Sequence, residues 1–348
     1  MSQPPRLQLY AGATAFTRIQ REGLQANDVK MLIGASGGPK WFCLFGLDQY
    51  LLSTFFKNRL TPLELLGSSA GAWRFACFAQ TDGAAASRRF CDAYRTLCYP
   101  ANAPTSEVTA ISKTVLDAVF PNAAHVAQVV SNEVFRLNFI VAQKKGRPLV
   151  GSRIGQLGQI SSAAAVNLLH RPWLGRLYQR ILFAQKYSRL EAPDDLPTTR
   201  HELTAANLQA ALLASGSIPL VLDPVTEIAG MPRAQYIDGG LVDYHFAWPF
   251  QTDGLVLFPH FYPHASPGWF DKSLPWRRAK PKLFSQVAML CPTPQWVASL
   301  PYGKIPDRTD FNKLPDTARI AYWQEVTERS FELAEDFANG QFQLLPFK

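Results

Sequence analysis

Residues 63–79 read LELLGSSAGAWRFACFA, and the way this stretch turns decides the fold. An apolar run, Leu63, Leu65 and Leu66, leads into Gly67-Ser68-Ser69-Ala70-Gly71, and a helix-compatible tail follows through Ala72, Trp73, Phe75, Ala76 and Phe78. Strand, sharp turn and helix in that order are the setting of a nucleophile elbow with Ser69 at its tip. Such a turn forces its central residue into a strained conformation, so strand and helix can pass only if the residues two before and two after are small. Gly67 and Gly71 meet that demand. A serine placed there stands at a helix N-terminus, where free N–H groups and the dipole favour developing negative charge.

Upstream, residues 28–33 (DVKMLI) read as a buried strand entering Gly34-Ala35-Ser36-Gly37-Gly38-Pro39-Lys40, a glycine-rich turn able to aim backbone N–H groups at a phosphate or an oxyanion. The phosphate-loop pattern needs glycine before the lysine and Ser or Thr after it; Pro39 and Trp41 stand there instead. Residues 1–28 suggest a short strand and a turn, and residues 41–57 a helix buried against a sheet. Downstream, two helices are expected over 84–99 and 105–120, the second capped by Thr105 or Ser106. A strand is expected over 135–142 and a two-part helix broken at Pro172 over 160–189. Its second part, WLGRLYQRILFAQKYSR, has the basic and aromatic character of a segment lying on a membrane surface, although a core-facing helix with a solvated basic face is the commoner outcome. An exposed loop (190–203), a helix capped by Thr204 (205–214), short strands at 235–237 and 254–258, an aperiodic stretch (259–315) and a last helix (316–338) ending at Gly340 complete the chain. That last helix is expected to bury Ile320, Trp323, Phe331, Ala334 and Phe337.

With 348 residues, 47% hydrophobic and 18% charged, the chain suits an elaborated α/β domain. Its net charge of +8 fits contact with anionic surfaces, though no nucleic-acid signature accompanies it, so no nucleic-acid partner is expected. Five scattered cysteines without a CxxC pair read as buried thiols of a reducing compartment. The N-terminus shows no apolar core of signal-peptide length and no apolar run spans a bilayer, so the expected location is cytoplasmic, with room for peripheral membrane contact.

A serine hydroxyl needs a base, an oxyanion site and a pocket. Three strand ends offer them: the glycine turn at 34–40, the elbow at 67–71 and Asp238-Gly239-Gly240, where the aspartate follows Tyr236-Ile237. In a mostly parallel sheet such ends gather on one edge. An aspartate before two glycines is more often a plain turn residue, and a Ser-His-Asp set is also open: Ser69, Asp238 and one of His245, His260 or His264. His260 and His264 with Asp253 lie among prolines that oppose a metal-aligning helix, so no metal and no cofactor are expected.

A glycine-rich turn ending in a basic residue, then GxSxG, then the small-residue block 211–219 (ALLASGSIP), then Asp-Gly-Gly together resemble the patatin-like phospholipases over residues 30–244. The resemblance implies a three-layer α/β/α sandwich with a mostly parallel central sheet, a Ser69–Asp238 dyad that uses no histidine, oxyanion N–H groups from Gly37 and Gly38, and Lys40 in the family's basic position. Two positions depart from the pattern: Ser36 stands where the family has its first glycine, and Trp41 where it has a glycine after the basic residue. On this basis residues 1–258 form the catalytic domain, with a helical insertion at 84–132, and residues 259–348 form an extension packed on it. The implied activity is lipid acyl-ester hydrolysis, phospholipid or lysophospholipid; the same residues would also serve acyl transfer, and a non-catalytic lipid-binding protein could keep the fold.

Overall fold

The apolar runs of the sequence become strands of one sheet in the computed structural model, which describes residues 4–148 and 153–347. The strands are β1 (Leu7–Ala11), β2 (Val29–Gly34), β3 (Leu63–Ser68), β4 (Phe135–Lys144), β5 (Tyr178–Ala184), β6 (Thr198–Glu202), β7 (Gln235–Asp238), β8 (Leu255–Pro259), β9 (Val287–Pro292) and β10 (Phe342–Pro346). Their order is β10-β1-β9-β8-β2-β3-β4-β5-β6, with β7 joining β4 off that path. From β9 to β4 the strands run parallel, while β1, β5 and β7 are each antiparallel to a neighbour in that block. Helices flank the sheet, so the architecture is the expected α/β/α sandwich around a mostly parallel sheet. Leu32, Ile33, Leu65 and Leu66 are fully buried, as continuous apolar runs covered on both faces should be.

One register positions the site. β5 lies along β4 from Asn138 to Lys144, so the other edge of β4 must serve two partners. β3 takes its first half and ends with Ser68 opposite Ile140; β7 takes the second half, running the other way, and ends with Asp238 opposite Val141. The carboxyl ends of β3 and β7 therefore meet head to head at adjacent positions of β4. Asp238 was expected to reach Ser69 as one loop among parallel strand ends, whereas it arrives on an antiparallel strand.

Several local expectations are corrected. Residues 173–189 do not form an amphipathic helix: after a 3-10 turn (Arg171–Arg176) they enter the sheet as β5, where Arg180 is wholly buried against Asp243 with Nε–Oδ2 at 2.6 Å. An internal carboxylate turned what read as a basic surface into sheet interior. The exposed loop at 190–203 contains β6, a polar edge strand. Residues 41–49 are buried, but 41–57 wind as a 3-10 segment (Gly38–Leu44), a short α-helix (Phe45–Tyr50) and a π turn (Leu51–Phe55) on which Ser53 and Thr54 are exposed. A helix (Ala13–Glu22) replaces the first expected turn, and β9, wholly covered and hence without alternation, emerges from the aperiodic stretch. Pro104 rather than Thr105 or Ser106 precedes the helix Thr105–Val119, and Asn207 rather than Thr204 precedes Leu208–Gly216. In the last helix, Asp316–Ala338, Trp323, Ala334 and Phe337 are buried as expected, but Phe331 is half exposed and Leu333 takes its place in the core. Among the described residues no helix is long and apolar enough to cross a membrane.

Candidate active site

Ser69 joins β3 to the helix Ala70–Phe78 at φ 52° and ψ −130°, a conformation that costs a non-glycine residue on the order of 1–3 kcal/mol. Packing holds it there. A Cβ on Gly71 would lie 1.9 Å from the Gly34 carbonyl oxygen, because the helix start presses on the end of β2, and one on Gly67 would lie 2.6 Å from the Ala72 nitrogen. The Ser69 N–H donates to Ser215 Oγ at 3.0 Å, and Ser215 Oγ donates to the Ile140 carbonyl at 2.7 Å. The small-residue block 211–219 thus fixes the elbow's backbone against β4.

The Ser69 hydroxyl donates to Asp238 Oδ2 at 2.8 Å. The other carboxylate oxygen, Oδ1, accepts the Gly240 N–H at 2.6 Å, and the Asp238 N–H donates to the Ser217 carbonyl at 2.9 Å. Gly239 lies so close to β4 that a Cβ there would stand 2.1 Å from the Ile140 oxygen. Asp238 is 5% exposed, and burial pushes its carboxyl up to about 6 against the bonds from Ser69 and Gly240, which favour the charged form. A carboxylate so poised can accept a proton at neutral pH.

The glycine turn closes the third side. Gly38 has φ +55°, the left-handed region, and a Cβ on Gly37 would stand 2.6 Å from the Phe261 ring. Among the described residues neither N–H donates to a protein acceptor, and the Ala70 N–H, first in its helix, has no partner within the helix. Gly38, Ser69 and Ala70 line the same cavity.

Both departures from the expected pattern have a structural use. Ser36 Oγ and Ser68 Oγ are 2.7 Å apart, Ser68 Oγ donates to the Asp243 carbonyl at 2.6 Å, and the Ser36 N–H donates to the Tyr244 carbonyl at 2.9 Å. Two serines therefore clasp the glycine turn, the elbow and the segment after Asp238. Trp41 Nε1 donates to Asp48 Oδ2 at 2.7 Å, and Arg74 Nε, on the helix after Ser69, donates to the same oxygen at 2.6 Å.

The cavity occupies about 580 Å³, within the range of small-molecule sites. Its walls are mainly apolar: Trp73, Phe90, Leu97, Val115, Leu213 and Phe311 among them. Most of one wall comes from residues 90–115, a stretch whose sequence spoke only of helices. Lys40 does not line the cavity; its charge is disfavoured chiefly by burial. Arg308, which drew no notice in the sequence because no periodic or motif pattern surrounds it, does line it.

No histidine bonds to Ser69 or Asp238 among the described residues. His245 and His260 are buried 4.3 Å apart, centre to centre; His245 Nδ1 accepts the Ser266 N–H at 3.2 Å, and His260 Nδ1 lies against the Tyr262 backbone, 2.7 Å from its carbonyl oxygen and 3.0 Å from its nitrogen. Burial holds both well below the ordinary histidine range, His260 at about 3, so both are neutral. The described residues contain no cluster able to hold a metal ion.

No protein-family model matches the chain, and no curated protein does. Among solved structures the chain has a likeness to VipD from Legionella pneumophila, at 11% identity and a TM-score of 0.33, covering 74% of this chain. The match takes in 54% of VipD, so the chain spans about half the length of that protein.

Proposed function

We propose that this chain is a serine acyl hydrolase of lipid esters, built on a patatin-like Ser-Asp dyad. The observation that carries it is the 2.8 Å hydrogen bond from Ser69 to a buried Asp238, beside a largely apolar cavity of about 580 Å³. Ser69 Oγ attacks the ester carbonyl carbon while its proton passes to Asp238. The carbonyl oxygen, now negative, accepts N–H bonds from the glycine turn, Gly37 and Gly38, and from Ala70. The tetrahedral intermediate collapses, the bond to the alcohol oxygen breaks, and Asp238 returns the proton to that oxygen. Water then gives a proton to Asp238 and attacks the acyl-serine, which releases the fatty acid and restores the hydroxyl. The apolar walls suit the acyl chain.

Hydrolysis of a p-nitrophenyl ester by wild type, Ser69→Ala and Asp238→Asn tests this. Both variants are expected to lose nearly all turnover; retention of turnover by a folded Ser69→Ala protein would overturn the proposal. Product lipid profiling of wild type beside Ser69→Ala identifies the natural ester.

A further inference from the structure

Resting on the hydrolase proposal, we propose that Arg308 is a subsite for a phosphate or carboxylate of the headgroup, so that the enzyme prefers acyl esters bearing such an anionic group over neutral ones. Arg308 lines the cavity together with Ser69 and Gly38, and its charge acts on Asp238. It is half-buried and, among the described residues, makes no ion pair.

That freedom is arranged. Asp307 and Asp310 flank Arg308 in sequence, yet Lys304 takes both: its Nζ lies 2.8 Å from Asp307 Oδ2 and 2.5 Å from Asp310 Oδ1. Asp310 Oδ2 is further occupied by Trp323 Nε1 at 3.1 Å, and Asp307 Oδ1 by the Thr309 hydroxyl at 2.6 Å. The local carboxylates are thus satisfied away from the cavity and leave the guanidinium uncompensated. Elsewhere in the fold the buried arginines Arg74, Arg180 and Arg319 each hold a carboxylate.

Two more cations act on Arg308 from outside the cavity lining. Lys272 places its ammonium 4.6 Å from the centre of the Tyr244 ring and feels both Lys40 and Arg308; loss of water first, and these like charges next, push it down to about 8. Lys40 also feels Arg308. Unpaired like charges brought together destabilise a fold, and an incoming phosphate or carboxylate relieves them. A guanidinium can hold such a group through two parallel bonds, which fixes the ester relative to Ser69 as well as attracting it.

The test compares three single-chain esters with the same acyl group, presented as monomers below the micelle threshold: lysophosphatidylglycerol (anionic), lysophosphatidylcholine (zwitterionic) and monoacylglycerol (neutral). Wild type is expected to favour the two phosphate-bearing esters over monoacylglycerol in kcat/KM by about tenfold or more, the worth of a charge-assisted bond. Arg308→Gln is expected to cut the preference for the phosphate-bearing esters over monoacylglycerol about tenfold, and Arg308→Lys to keep most of it. Because the readout is a ratio, general damage to the site does not mimic the result. An unaltered ratio in folded Arg308→Gln overturns the subsite. So does a preference that appears only on vesicles, which would make the charge a surface attraction. Failure of wild type to cleave any of the three, with Ser69 unreactive, would instead reject the hydrolase proposal beneath it.

Discussion

Asp238 is held in a costly state, and replacing it with the isosteric amide exposes that cost. Its carboxyl rises from an ordinary value of 3.8 to about 6, with burial as the main cause. The folded protein therefore binds this proton more readily than the unfolded chain does, so the stability from Asp238 is complete below pH 3.8 and is lost as pH rises through 6. The difference corresponds to about 3 kcal/mol at neutral pH. Asp238→Asn removes the charge, keeps an oxygen for the Gly240 N–H, and turns an amide NH₂ toward the Ser69 oxygen, which can accept it. The variant is expected to be nearly inactive, since a general base contributes about 10²–10⁴-fold. It is also expected to be more stable than wild type at pH 8 by up to about 3 kcal/mol. Calorimetric melting of both proteins between pH 4 and pH 8 reads this directly: the gap should be widest at pH 8 and shrink toward zero near pH 4. A variant no more stable at pH 8, or a gap independent of pH, would refute the buried, charge-penalised base.

The same carboxyl sets the activity profile: kcat/KM of wild type should fall below pH 6, to about a tenth of its plateau at pH 5, as a single protonation. Ser68→Ala breaks the clasp that ties Ser36 to the Asp243 carbonyl and strands buried polar groups, so melting should report a loss of about 1–3 kcal/mol, accompanied by slower ester turnover. Gly71→Ala drives a methyl into the Gly34 carbonyl, and circular dichroism should show a protein that folds poorly or not at all. Replacing Val115 with Phe fills part of the cavity, and competition between esters of different length should shift preference to shorter acyl chains. His245→Gln and His264→Gln should each leave ester turnover within about twofold of wild type, a small effect in energy terms; loss of activity in either, with Asp238 dispensable, would restore a histidine triad.

The elbow and its partners were legible because backbone geometry restricts residue type: a strained turn pressed against β2 tolerates little but glycine at 67 and 71, and Gly38 with positive φ leaves the same mark. Asp238 was legible as a residue but its approach was not, since β7 owes its direction to a free edge of β4 that no local pattern encodes. The reading of 173–189 as a helix failed for a related reason. Arg180 looked like a surface charge until Asp243, sixty-three positions away, turned it inward. β9 is covered on both faces and so carries no alternation, and Arg308 sits in a turn-rich segment where only three-dimensional placement reveals a role. Ser36 and Trp41 looked like losses from a pattern; their hydrogen bonds show them tying the site loops together.

The central claim is that Ser69 is a nucleophile activated by Asp238, and covalent labelling by a fluorophosphonate probe, followed by mass spectrometry over time, tests it most directly. A single phosphonyl adduct on the Ser69 peptide is expected in wild type, absent from Ser69→Ala and formed about a hundredfold or more slowly in Asp238→Asn. No adduct on the folded wild type, an adduct on another serine, or equal rates in wild type and Asp238→Asn would contradict it.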